Sequence, residues 1–395
     1  MKWEKYVETK EKLLQIPESW LFLHYYEALT VLFRIENALR VFVFSVLKNE
    51  FREKWLETNI TSDDSTQGTI TSIAKRRINQ ARSFGYLGYS ITCPIMHLTS
   101  GELIQLITAD ANWKYFSKYF LGSKDIIKNK LDEIGAIRNS LAHFRPIRQS
   151  DIEVVKQNAN HVLVAIEKCI SEMFGCKNVV PTNTAEDWYK ELRTLGTDHC
   201  ILYFLQSADE EWVKISIEYG CPVVAQFEPS SSYRRYKVLS IISSAILKEF
   251  PILSNLITYL TEYVPYSPMT EKTKSPHFTK IIELVLSHKI LKDHFKDLRK
   301  QIEEVLLLIS NETELIKQDN LAKGKIVQVV EVNAIQREAT WRIRTQALTC
   351  EVGTDDPPEF WGSSGSFSWL GSDFVSRTSK YPWMPTEVSE EPIPF

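Results

Sequence analysis

Leu131-Asp132-Glu133-Ile134-Gly135-Ala136-Ile137-Arg138-Asn139-Ser140-Leu141-Ala142-His143-Phe144-Arg145-Pro146 decides how the first half of the chain folds. Leu131, Ile134, Ile137 and Leu141 recur at spacings of three and four, which marks one buried face of a helix. Pro146 disfavours helical geometry at Arg145, so the helix is expected to end near His143. Its last two turns therefore collect Arg138, Asn139, Ser140 and His143, with Arg145 and Arg148 just beyond. Asn139 and His143 are four apart and share a face. Arg138 is five from His143, about 140° away around an ideal helix, so only its long side chain brings a guanidinium near the imidazole.

Working outward, residues 20–56 are strongly helical, with apolar positions too numerous for one narrow stripe; that helix should be buried on several sides. Glu36 and Arg40 make a favourable pair one turn apart. A polar loop follows at 58–68, then helices at 69–84, 100–108 and 112–120, with an irregular stretch at 85–94. Gly122-Ser123 breaks the run, and Ser123 is placed to cap the motif helix from Lys124 onward. A last helix at 151–174 completes an all-helical bundle over residues 1–175. From Lys114 to Arg148 there are eight basic residues (Lys114, Lys118, Lys124, Lys128, Lys130, Arg138, Arg145, Arg148) against three acidic ones (Asp125, Asp132, Glu133). Such a local excess suits a polyanion, although the formal net charge of the chain is −3.

The Arg-Asn-x-x-x-His pattern late in an amphipathic helix resembles the signature of the HEPN superfamily, over roughly residues 17–175. The upstream stretch from Phe33 to Arg40, with its Glu36 and Arg40, is similar to the first long helix of such domains in defence proteins. The resemblance implies a metal-independent RNA endonuclease of prokaryotic antiviral defence or a toxin system, acting as a homodimer and using no cofactor. It implies His143 as acid/base, Arg138 as the cation on the phosphorane, and Asn139 as a positioning group. The chemistry suits those roles. RNA carries its own 2′-hydroxyl nucleophile, His titrates near neutrality, and Arg can hold two phosphate oxygens. Ser140, Arg145 and Arg148 are then candidate RNA contacts. Lys75 and Arg76 either extend that surface or form an ordinary solvated helix face. The alternative is an inactive bundle that binds RNA or a protein, and for His143 itself a plain role at a helix C-terminus.

After a linker at 175–185 the period changes. Strands are expected at 200–205, 212–219, 223–227, 325–332 and 340–348, the second alternating as a half-buried strand does. Helices are expected at 187–195, 236–260 and 277–310, giving a mixed α/β domain over 186–350 that senses or restrains. Asp209-Glu210-Glu211 reads as a polar turn. Pro229 to Lys237, rich in hydroxyls and cations, reads as a helix start able to take phosphate, or as a capped, solvated turn. From 351 Gly, Ser, Pro and acids dominate, which predicts a flexible tail. Its end, Glu390-Glu391-Pro392-Ile393-Pro394-Phe395, resembles the tail of bacterial single-stranded DNA-binding protein, though with Pro392 where an acid is usual. That resemblance implies Ile393, Pro394 and Phe395 as a docking element for a protein that grips such tails.

The six cysteines show no Cys-x-x-Cys pair, and His277, His288 and His294 have no ligand partners at a telling spacing, so no metal site is expected. The charged start and the charges within 28–47 argue against a leader or a membrane span, so a soluble cytoplasmic protein is the expectation.

Overall fold

The computed structural model describes residues 7–8, 14–15, 23–60, 68–84, 93–143, 145, 147–180, 185–227, 233–265, 276–314, 324–337, 340–353, 355–366 and 381–384. Helices come first and sheets second, an α+β arrangement. A two-stranded ribbon, β1 (Val7–Glu8) and β2 (Leu14–Gln15), precedes helix α1 (Leu23–Phe51). Then come α2 (Ile70–Phe84), α3 (Ser100–Thr108), α4 (Asp110–Phe116), α5 (Lys124–Ala142) and α6 (Gln149–Phe174). Among the described residues no helix is long and apolar enough to cross a membrane.

Helix α1 is the centre of the bundle. Ala38, Phe42, Val43, Phe44 and Leu47 are fully or almost fully buried, on more than one side of the helix. Helix α3 starts with a capping box: the Thr99 hydroxyl accepts from Glu102 N–H, and the Glu102 carboxylate accepts from Thr99 N–H at 2.8 Å. Gly122, at φ 150°, supplies the turn before α5 that residues with a Cβ rarely adopt. Ser123 does sit at the N-cap of α5, but its side chain makes no capping hydrogen bond, contrary to the expectation from sequence.

The second half holds β3 (Asn178–Val179), α7 (Asp187–Leu192), β4 (Cys200–Gln206), β5 (Trp212–Gly220), β6 (Val223–Phe227) and β7 (Tyr233–Ile241). It continues with α8 (Ser243–Glu249), α9 (Pro251–Leu256), β8 (Tyr259–Tyr263), β9 (Thr279–Ser287) and α10 (His288–Glu314). It ends with β10 (Val327–Arg337), β11 (Thr340–Ile343) and β12 (Phe360–Ser363). One sheet has the order β12-β8-β9-β5-β4-β3, the other β11-β10-β7-β6.

Several expectations are corrected here. Residues 236–260 are not one helix: β7, two short helices and β8 occupy them. The first part of 277–310 is β9, not helix. In β9 burial alternates as far as Leu284, but in the sequence apolar residues follow one another directly (Ile281-Ile282, Leu284-Val285-Leu286), so no polar–apolar alternation distinguishes it from a helix. Strand β5 is buried on both faces rather than one. Val213, Ile215 and Ile217 lie in the core with α10, while Trp212 joins the core of the helical bundle. The 175–185 stretch is not only linker, since β3 extends the six-stranded sheet. Pro229–Lys237 does not start a helix: residues 228–232 lie outside the described set and β7 begins at Tyr233.

The expected tail from 351 is partly built into the fold. Strand β12 pairs in parallel with β8. Glu359 forms a buried ion pair with Lys48 of α1, and Leu260 N–H donates to Glu359 O at 2.7 Å. Trp361 and Trp383 both donate from Nε1 to Pro358 O, at 3.0 and 2.7 Å. Ile393, Pro394 and Phe395 lie outside the described residues.

All six cysteines are free thiols. At the start of α7, half-buried Glu186 accepts from His288 Nε2 at 2.7 Å, from Lys292 Nζ at 2.8 Å and from the Trp188 indole. Burial pushes its carboxyl up, and those hydrogen bonds outweigh it, bringing it from 4.5 down to about 2. The folded value lies below the unfolded one. Its contribution to stability is therefore complete above about pH 4.5 and is lost as pH falls towards 2. Glu186→Gln should flatten the acid limb of a stability-against-pH curve in that window. An unchanged limb would show that the carboxylate contributes nothing there.

Candidate active site

Helix α5 is held by Ile127, Leu131, Ile134 and Leu141, all buried, with Ile137 partly so. All of these but Ile127 are positions the periodicity selected. Its opposite side carries the motif. The helix stops where Pro146 demands: His143 is the C-cap at φ −99°, ψ 15°, its N–H donating to Asn139 O at 3.1 Å. Arg145 N–H then donates to Ser140 O at 2.9 Å and closes the turn. The His143 and Asn139 side chains are exposed, and among the described residues neither has a hydrogen-bond partner. The Ser140 hydroxyl is used locally, donating to Ala136 O at 3.2 Å.

Arg138 is placed by tertiary structure. Its Nε donates to Glu36 Oε2 on α1 at 3.2 Å, across 102 positions of sequence. Glu36 is mostly buried and also accepts from the Arg40 guanidinium and the Ser100 hydroxyl. Arg40 is further fixed by Asn37 Oδ1 at 2.9 Å and Leu98 O at 3.2 Å. Burial lowers the Arg40 guanidinium from its usual range despite Glu36, and Arg138 pushes it the same way. Two cations thus share one carboxylate, leaving a local excess of positive charge. The Arg138 side chain is 34% exposed, and its two Nη groups have no partner among the described residues.

A pocket of about 10 Å³ adjoins Glu36, Ser100 and Arg138, but its other walls are Leu32, Ile35, Leu39 and similar apolar groups. It is too small and too apolar for a nucleotide, so any polyanion must meet Arg138 from the open surface. A groove of about 1000 Å³ beside the start of α5 is lined by Lys54, Lys124 and Lys128 against Glu57, Asp110, Asp125 and Asp132. That balance gives a polyanion no foothold.

The structure does not bring Arg138 and His143 into contact within one chain. Arg145 and Arg148 are exposed just past the helix end, Arg148 opening α6 with its N–H donating to Asp151 Oδ2 at 2.8 Å. Lys75 and Arg76 are exposed on α2, which packs on the short helical turns at 52–57 and 94–97 rather than on α5. Their neighbour Arg77 grips Glu102 with two bonds of 2.6 and 2.7 Å. Part of the basic run is also spent internally. Lys124 pairs with Asp110, and Lys118 lies 3.8 Å from Glu211. Ser100 was not legible as a site residue, because only the packing of α3 on α1 brings it to Glu36. Among the described residues no group of three or more His, Cys, Asp or Glu could hold a metal ion.

No family model, no curated protein and no solved structure matches this chain.

Proposed function

We propose that the chain is a metal-independent RNA endonuclease of the HEPN type, serving prokaryotic antiviral defence or a toxin system. The observation that supports it is the state of Arg138. Glu36 anchors its Nε and leaves both Nη groups to the solvent, at the same helix end as the exposed His143. A guanidinium held this way presents a preorganised fork to two phosphate oxygens. His143 takes the 2′-hydroxyl proton or supplies one to the leaving 5′-oxygen, and the strand is left with a 2′,3′-cyclic phosphate. The separation of Arg138 and His143 within one chain is met by a homodimer in which two α5 ends face one another, each Arg138 serving with the other subunit's imidazole. Asn139, beside both, positions the phosphate.

The test is cleavage of total cellular RNA by the purified protein. Cleavage should persist in EDTA and leave cyclic phosphate ends. Arg138→Ala and His143→Ala should each reduce it by about 10²-fold or more, with unchanged thermal unfolding. Cleavage that stops on chelation, or survives either substitution, overturns the reading. RNA binding without cleavage would favour an inactive binding module instead.

A further inference from the structure

The four-stranded sheet has one face in the core and one in solvent. Tyr236, Val238, Val332, Ala334 and Trp341 point inward. Register then assigns the other side. Arg235 lies opposite Phe227 on β6 and Asn333 on β10, Lys237 opposite Ala225 and Glu331, and Ile335 opposite Arg342 on β11. Phe227 is 37% exposed and edge-strand in position. The Arg235 guanidinium lies 5.8 Å and the Lys237 ammonium 5.3 Å from its ring centroid. Among the described residues Arg235, Lys237 and Arg342 have no ion-pair partner, and Glu331 is the one carboxylate on this face of the four strands.

Both cations lie over the Phe227 ring in cation–π contact, which gathers a flat apolar face and two positive charges at one place on the surface. That is the pairing that single-stranded nucleic acid requires: a flat ring for a base and cations for the phosphates on either side of it. Arg235 and Lys237 stand two residues apart on one strand, about 6.8 Å along it, a step comparable to that between neighbouring phosphates of an extended strand. An acidic peptide would use the cations and leave Phe227 without a role.

We propose that this open sheet face binds single-stranded nucleic acid, with Phe227 stacking a base and Arg235, Lys237 and Arg342 holding phosphates. The proposal does not depend on the nuclease reading, and a probe without a 2′-hydroxyl keeps the two apart. The experiment is fluorescence anisotropy of the full chain with labelled oligothymidylate of about 20 nucleotides, over a range of salt. Phe227→Ala should weaken binding about tenfold. Arg235→Ala with Lys237→Ala should lower the slope of log affinity against log salt by about 1.4, two contacts of about 0.7 each. Thermal unfolding should be unchanged in both, since the side chains point to solvent. The proposal is overturned if no binding is seen at low salt, if both variants bind like the parent, if duplex of the same sequence competes equally, or if oligoglutamate displaces the strand at equal concentration.

Discussion

Trp361→Ala should destabilise the whole protein by about 3–5 kcal/mol. Trp361 is 1% exposed and lies in the segment whose composition reads as a tail. Its ring stacks on Tyr259 of β8 at 4.1 Å and 3°. It also meets Phe44 of α1 at 5.9 Å, Phe174 of α6 at 5.7 Å and Trp383 at 5.5 Å. Helical bundle, six-stranded sheet and C-terminal segment therefore share one aromatic cluster. Removing its central ring leaves a cavity walled by elements of all three, and few neighbours can collapse into it without moving a helix against a sheet. Urea unfolding followed by far-ultraviolet circular dichroism gives the loss. A loosely attached tail would instead give a shift within about 0.5 kcal/mol, as exposed substitutions do.

Glu262→Gln should cost about 3–5 kcal/mol, and adding Lys280→Met should recover a large part of that. Lys280 Nζ and Glu262 Oε2 are 2.8 Å apart, and both side chains are fully inaccessible. The ammonium also donates to Ile241 O at 2.8 Å and Ser240 Oγ at 3.2 Å, while the carboxylate accepts from Ser243 and from Cys350 N–H. The cluster joins β8 and β9 of one sheet to β7 of the other. Neutralising the acid alone strands a positive charge in a dry interior. Ser243 donates to Oε2 and Cys350 N–H to Oε1, so glutamine keeps its one oxygen for Cys350 N–H while its amide nitrogen donates to the Ser243 hydroxyl, which can turn to accept; the second substitution then removes the stranded charge. The same surroundings push the Cys350 thiol up to about 11, burial first and Glu262 next. A single variant within about 1 kcal/mol of the parent would mean that water reaches Lys280.

How much was legible in the sequence differs from element to element. Helices α2, α3 and α5 fall within a residue or so of their expected bounds, because each has an apolar stripe at helical spacing and a turn residue at its edge. Strand β6 matches its expected bounds for the corresponding reason. Strands β7 and β9 were read as helix, since apolar residues that follow one another directly (Val238-Leu239 in β7, Leu284-Val285-Leu286 in β9) blur the period that separates the two. In the candidate site, the exposed end of α5 and the Glu36–Arg40 pair were legible, being local. The bond from Glu36 to Arg138 was not, because it joins residues 102 positions apart.

By itself the chain determined where the motif helix begins and ends, which of its faces is apolar, and that Arg138, Asn139 and His143 gather at its far end. Those follow from spacing and from the backbone preferences of Gly122 and Pro146, which act within a few residues. Only tertiary structure decided that Glu36 takes one nitrogen of Arg138 and leaves the fork open, that Phe360–Ser363 completes a sheet, and that Trp361 ties three parts of the molecule together. Such pairings depend on which surfaces exclude water from one another, and no local pattern encodes that.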